Sequence, residues 1–151
     1  MLVGAIMSRK PITVGRDHTV QHVARLMRDK EVGAVVVVDG RGRPIGICTD
    51  RDVTLRALLA GGSPGQIPVD RIMSKPVVAV AEDTLIFDLL RLMARKGIRR
   101  APVVDAADQR VVGVVSVDDI ILLLTTELAN VAEVLGTSSR VLGKRSAEEE
   151  E

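Results

Sequence analysis

Two stretches of this chain carry residue types that could grip a sugar or an anion. The first is Gly46-Ile47-Cys48-Thr49-Asp50-Arg51-Asp52, and the second is Gly113-Val114-Val115-Ser116-Val117-Asp118-Asp119. In each, a β-rich apolar run meets a hydroxyl residue, an aspartate follows three positions later, and an apolar helical pattern comes next. A hydroxyl that opens a helix behind a strand gathers backbone N–H groups and a helix N-terminus at one end of a sheet, which suits an anion. A carboxylate on the first helical turn can accept two hydrogen bonds from a vicinal diol. The same residues, Thr49-x-x-Asp52 and Ser116-x-x-Asp119, are also variants of the helix capping box, with Asp where Glu or Gln is usual. Two copies in matching contexts point to one structural unit used twice.

The elements that position these residues also come in duplicate. In the first half, Val3, Ile6 and Met7 have the spacing of a short helical face, and Pro11-Ile12-Thr13-Val14 reads as a short extended run. A cap at Asp17 to Thr19 opens a helix with Val20, Val23, Ala24, Leu26 and Met27 on one side, and Gly33 is expected to end that turn. Ala34 to Val38 is a continuous β-branched run suited to a buried strand. Asp39 to Gly42 turns the chain, Arg43 to Cys48 returns, and a helix with Val53, Leu55, Leu58 and Leu59 follows. Gly61 to Gly65 breaks that helix and forms a linker.

The second half repeats this order. Val69, Ile72 and Met73 match Val3, Ile6 and Met7, and Pro76-Val77-Val78 matches the run opened by Pro11. Asp83 or Thr84 is expected to cap a helix bearing Leu85, Ile86, Leu89, Leu90, Leu92 and Met93. Ala101 to Asp105 and Arg110 to Val115 are the strand pair that leads to the second motif. The last helix, Val117 to about Leu135, is apolar nearly all round at Ile120 to Leu124, so another surface must cover it. The predicted organisation is an α+β chain with repeat one at 1–62, a linker and repeat two at 63–135, and a mobile tail at 136–151.

Composition narrows the function. A chain of 151 residues with 46% hydrophobic content forms one ordinary domain or two small units that share a core. The formal net charge of +1 gives no broad basic field for nucleic acid, and with no Trp or Tyr and only Phe87 there is no platform for stacking bases. The longest apolar runs fall far short of a membrane span, and Met1 to Met7 lacks the basic leader of a signal peptide. A lone Cys48 excludes an internal disulfide and fits a reducing cytoplasm. His18 and His22 stand at a spacing that could share a metal, yet no Cys or third His lies nearby, so no metal site is expected. No nucleophile and base stand in register, so no catalytic residue is assigned and no enzyme is expected.

The doubled unit resembles a pair of CBS domains, the regulatory module named after cystathionine β-synthase. The resemblance rests on Asp39 and Asp105 after the valine strands, on Pro102-Val103-Val104-Asp105, and on the two Gly-x-x-[Ser/Thr]-x-x-Asp stretches, and it covers roughly residues 1 to 135. The string Thr49-Asp50-Arg51-Asp52-Val53 is similar to that of stand-alone two-repeat proteins.

The resemblance implies two pseudo-symmetric repeats with clefts between them that take adenosine-containing ligands. On this sequence it places Asp52 with Thr49, and Asp119 with Ser116, at the ribose and phosphate. It also places backbone groups of Ile12-Thr13-Val14 and Val77-Val78-Ala79 at the base. Arg99 and Arg100 precede the strand of repeat two, where Gly33 and Ala34 stand in repeat one, and their guanidinium forks suit a phosphate. Arg51 is a further phosphate candidate; Lys10 and Lys75, beside the prolines, rank lower. The expected ligand is AMP or ADP, with ATP, NAD and S-adenosylmethionine as alternatives. The expected role is sensing that ligand and signalling to a regulated partner protein as a homodimer. A ligand-free dimeric scaffold is the alternative from another class.

Overall fold

The computed structural model describes residues 1–148, with side chains through Gly136. It divides into a first unit, Met1–Ser116, and the segment from Val117 onward.

The first unit contains two three-stranded sheets of the same design. In the first, β1 (Thr13–Gly15) pairs in parallel with β2 (Ala34–Val38), and β3 (Pro44–Thr49) runs antiparallel to β2. In the second, β4 (Val80–Ala81), β5 (Arg100–Val104) and β6 (Val111–Ser116) repeat that order. A parallel neighbour requires a crossover, which α1 (Val20–Lys30) and α3 (Ile86–Lys96) supply. Each returning strand carries an irregularity at the same place, between Val37 and Val38 on β2 and between Val103 and Val104 on β5.

The helices form where the pattern places them, but their ends differ from expectation. Val20, Val23 and Met27 bury one side of α1, and Ile86, Leu89 and Met93 bury the matching side of α3. The Thr19 hydroxyl accepts a hydrogen bond from the His22 N–H and caps α1. Neither Asp83 nor Thr84 is the cap of α3; Leu85 holds that position without a side-chain bond. The left-handed residue that ends α1 is Glu31 at φ 53°, not Gly33; its counterpart in repeat two is Gly97 at φ 63°. The short strand after the proline of repeat two also shifts. Val80 pairs with Val103 as Val14 pairs with Val37, so β4 starts at Val80, beyond Val77 and Val78. Aligning the repeats on Pro11 and Pro76 is therefore one residue out of register, since Met7 to Met73 and Val14 to Val80 share one spacing and the prolines do not.

The segments that open the two repeats are exchanged. The Val3 and Gly4 N–H groups donate to the carbonyls of Thr84 and Glu82, and Ser8 exchanges two backbone bonds with Val114 on β6. In return, Val69 N–H donates to His18 C=O at 2.8 Å, and Ser74 exchanges two bonds with Ile47 on β3. The core of repeat one accordingly contains Ile67, Val69, Ile72 and Met73 packed with Val14, Val23, Val35 and Cys48. Residues numbered into one repeat complete the sheet of the other.

This exchange explains the motif glycines. A Cβ on Gly113 would stand 2.6 Å from Met7 Sδ and 2.8 Å from the Ser8 carbonyl oxygen, and one on Gly46 would run into the Met73 side chain. The crossing segment lies directly on the strand at both places.

The second unit is a single helix, α4 (Val117–Glu148). Ile121, Leu122, Leu124, Leu128, Val131 and Leu135 are exposed along it. The tail expected from residue 136 has helical backbone as far as Glu148, and its residues 149–151 lie outside the described ones.

Gly113→Ala is expected to destabilise the fold by about 1–3 kcal/mol through overpacking against backbone. Gly40→Ala, where a Cβ meets nothing within 4 Å, serves as the control and should cost under about 0.5 kcal/mol. With no Trp or Tyr, urea melts followed by far-UV circular dichroism provide the measurement; equal midpoints for the two variants would contradict the packing argument.

Candidate functional site

The first motif sits where β3 gives way to helix. Thr49 and Asp52 bond reciprocally: the Thr49 N–H and hydroxyl both donate to Asp52 Oδ2 at 2.9 Å, and the Asp52 N–H donates to Thr49 Oγ1 at 3.2 Å. This is the capping box that the spacing allowed. It buries Asp52, which is 7% exposed, yet leaves Oδ1 outside the cap. Arg56 Nε approaches that oxygen to 3.3 Å.

The chain between them is not an ordinary helix. Asp52–Arg56 forms a π turn, with the Ala57 N–H donating to Asp52 C=O, before α2 (Ala57–Ala60) resumes the α pattern. Leu58 and Leu59 project to solvent at 77% and 88% exposure. Among the described residues, these two and Phe87 are the most exposed large apolar side chains of the first unit.

A cleft of about 520 Å³ opens beside the motif, lined by Thr49, Asp50, Arg51, Asp52 and Arg56 from repeat one and by Gly97, Ile98, Arg99 and Arg100 from repeat two. Ile47, Leu55 and Ser74 complete its wall. Four guanidiniums thus face two carboxylates, and the excess of positive charge favours an anion. Arg100 reaches across toward repeat one: a Cβ on Gly33 would lie 3.5 Å from Arg100 Nη2 and 3.4 Å from Asp50 Oδ2. Gly33 is small where its neighbours need room. Ile47, Leu55 and Ile98 supply the apolar surface against which a flat ring would rest. The lining contains no histidine or cysteine.

Of the residues singled out in the sequence, the cleft gathers Thr49, Arg51, Asp52, Arg99 and Arg100. Ile12, Thr13, Val77 and Val78 are not in its lining. Ile12 packs against the core of repeat one and its carbonyl accepts from Val36 N–H; Thr13 is exposed on β1; Val77 and Val78 precede β4. Ser116 ends β6, directly opposite Arg100 on β5, and Asp119 lies in the first turn of α4. Sequence reading missed Arg56 and Ser74. The i, i+4 spacing of Asp52 and Arg56 was the available clue for the first; nothing local could reveal Ser74, which arrives through the exchanged segment. Lys75 pairs with Asp70 at 3.1 Å, away from this cleft. His18 and His22 stack with ring centroids 4.8 Å apart, and among the described residues no group of three or more metal-ligating side chains occurs.

Comparison with known proteins fits this duplicated design. The CBS domain family model matches residues 3–58 and again residues 69–126. The chain belongs to the CBS domain family. Among relatives, protein MK0525 of Methanopyrus kandleri is 35% identical over 87% of this chain, which spans 66% of that protein's length. The CBS domain-containing protein YhcV of Bacillus subtilis is 39% identical, with 76% of this chain and 79% of that one covered. Among solved structures, the CBS domain pair of protein MJ0100, in complex with 5′-methylthioadenosine and S-adenosyl-L-methionine, superposes with a TM-score of 0.75 at 28% identity. The match covers 84% of this chain and 98% of that one. The CBS pair described here is thus α+β with two repeats, as the motifs implied.

Cys48 adjoins the motif on β3 and is fully buried. Burial, helped by the Asp52 carboxylate, pushes its thiol from the ordinary 9.0 up to about 12. In the folded protein at pH 8 a thiol reagent should modify Cys48 only as fast as the chain unfolds. Between pH 9 and 12 the unfolded chain releases the thiol proton while the folded chain keeps it, so stability falls as pH rises through that window. Replacing Cys48 with Ala should flatten that part of the stability profile; an unchanged slope would contradict the assignment.

Proposed function

We propose that this CBS pair is a regulatory module that binds an adenosine nucleotide, AMP or ADP before others, and passes its bound state to a partner protein. The observation that carries this reading is the meeting of the Thr49–Asp52 motif with Arg51, Arg56, Arg99 and Arg100 in one cleft. Asp52 Oδ1 accepts from the ribose hydroxyls, the aliphatic wall takes the adenine, and the guanidiniums take phosphate. A structural neighbour crystallised with two adenosine-containing ligands supports the adenosine part, and the arginines support a phosphate rather than the sulfonium of S-adenosylmethionine. By sequence equivalence we assign the same roles to Ser116 and Asp119.

The reading is regulatory rather than catalytic: the Thr49 hydroxyl and Asp52 Oδ2 are engaged with each other in the helix cap, and the lining has no histidine or cysteine to supply a base or thiolate. Sensing follows if the nucleotide binds one packing of the chain more tightly than another. Leu55, Leu58 and Leu59 on one face, with Ile121, Leu122 and Leu124 on α4, present apolar surface that a C₂ homodimer would cover with a second copy. A free, buried Cys48 suits a reducing compartment such as the cytoplasm, and no described helix is long and apolar enough to cross a membrane.

Calorimetry with AMP and adenosine on wild type, Arg100→Ala and Asp52→Asn tests the assignment. Arg100→Ala should weaken AMP by roughly ten- to a hundredfold and adenosine far less, because only AMP carries the phosphate. Asp52→Asn should weaken both ligands. Equal losses for AMP and adenosine in Arg100→Ala would defeat the phosphate role. Failure of wild type to bind AMP, ADP, ATP or NAD, with material released on heating showing no 260 nm absorbance, would leave the dimeric scaffold. Light scattering should report a dimer at micromolar concentration, and a monomer unaffected by nucleotide would remove the homodimer.

A further inference from the structure

Arg56 holds two things at once. Its Nε lies 3.3 Å from Asp52 Oδ1, the carboxylate oxygen left outside the cap. Its Nη1 donates a 3.0 Å hydrogen bond to the carbonyl of Ile72. Ile72 is buried in the core of repeat one, two residues before Ser74, where the exchanged segment bridges to Ile47 on β3. Arg56 is the last residue of the π turn that Asp52 opens, four positions from the carboxylate it faces. One half-exposed guanidinium thereby ties the ribose-binding oxygen to the segment that joins the repeats.

We propose that Arg56 is a latch that makes the cleft select phosphorylated nucleosides and that couples occupancy to the exchanged segment. The inference rests on the nucleotide reading above. A ribose hydroxyl that takes Asp52 Oδ1 competes for it with Arg56, whose Nε lies 3.3 Å away. Adenosine offers the freed guanidinium nothing, so its binding is penalised by the lost ion pair. A nucleotide offers a phosphate within the same cleft, and the new charge-assisted bonds offset the loss. Moving to phosphate also takes Nη1 from the Ile72 carbonyl, which loosens the segment around Ser74. The bound state thus reaches the backbone that links the repeats, and it does so only when the ligand is anionic.

The test combines calorimetry on wild type, Arg56→Gln and Arg56→Lys with hydrogen exchange of the Met73 and Ser74 amides, which bond to Val69 and Ile47 carbonyls. Arg56→Gln should tighten adenosine by about tenfold while AMP weakens or stays level, so the preference for AMP collapses. A merely structural residue would shift both ligands equally, and that result would overturn the latch. Arg56→Lys keeps the charge but lacks the fork, so it should retain a preference for AMP and lose the coupling. In wild type, AMP should speed exchange at Met73 and Ser74, and adenosine should not. Should Arg56→Gln lose its cooperative melt, the wild-type exchange decides alone: amides that AMP leaves unchanged would overturn the proposal. Wild type that binds none of the adenosine ligands would remove both readings, whereas binding with an unchanged AMP preference in Arg56→Gln would remove only the latch.

Discussion

The fold depends on two backbone exchanges, Ser8 with Val114 and Ser74 with Ile47. A three-stranded sheet with one crossover helix buries only a small core of its own. Each repeat solves this by covering the other's sheet with its opening segment. Val69, Ile72 and Met73 enter the core of repeat one, while Val3, which bonds to Thr84, and Met7, which rests on Gly113, are buried against repeat two. Neither repeat is complete alone, so a change felt at either crossing reaches both. The glycines of the two motifs follow from this constraint before any ligand is considered: Gly46 and Gly113 are the points where a crossing methionine rests on the strand.

The cap and the site are built from the same atoms. Thr49 and Asp52 satisfy each other's backbone and side-chain groups, which is sufficient reason for the motif in a chain that binds nothing. What lifts it above a cap is its surroundings. Asp52 is the buried charged residue of the described core, and it carries a second oxygen turned toward the Arg56 guanidinium. A cap needs only one carboxylate oxygen; the second, facing a charged cleft, is the one the proposed ribose contact would use.

How much of this was legible follows from which interactions are local. The valine strands, the paired apolar faces of α1 and α3, and the motif spacing all depend on neighbours within a few residues, and the periodicity announces them. Val77 and Val78 were misplaced because prolines mark where an extended run begins, while register is set by the partner strand, here Val80 on Val103. Glu31 took the left-handed cap that a glycine normally fills, so Gly33 was given a terminating role; its small size instead makes room beside Asp50 and Arg100. The exchange of opening segments was invisible, since it pairs residues more than 25 positions apart with no compositional mark. The family resemblance supplied the two-repeat design and the candidacy of Asp52 and Arg100; it did not supply Arg56.

The asymmetry of the repeats is the last step. Position 34 in repeat one is Ala and its counterpart in repeat two is Arg100; Gly33 likewise matches Arg99. A pseudo-symmetric pair with arginines at both places would add two guanidiniums to the four that already face Asp50 and Asp52. With Gly33 and Ala34 in repeat one, Arg100 instead extends over the first motif, opposite a surface that has no side chain to block it. The cation therefore serves the cleft of the other repeat, as the exchanged segment serves the other sheet. Charge from repeat two and a carboxylate from repeat one meet in the same cleft, so anything that bridges them presses on the contact between the repeats. That placement, more than any single residue, supports the proposal that a bound anion is reported to the rest of the chain.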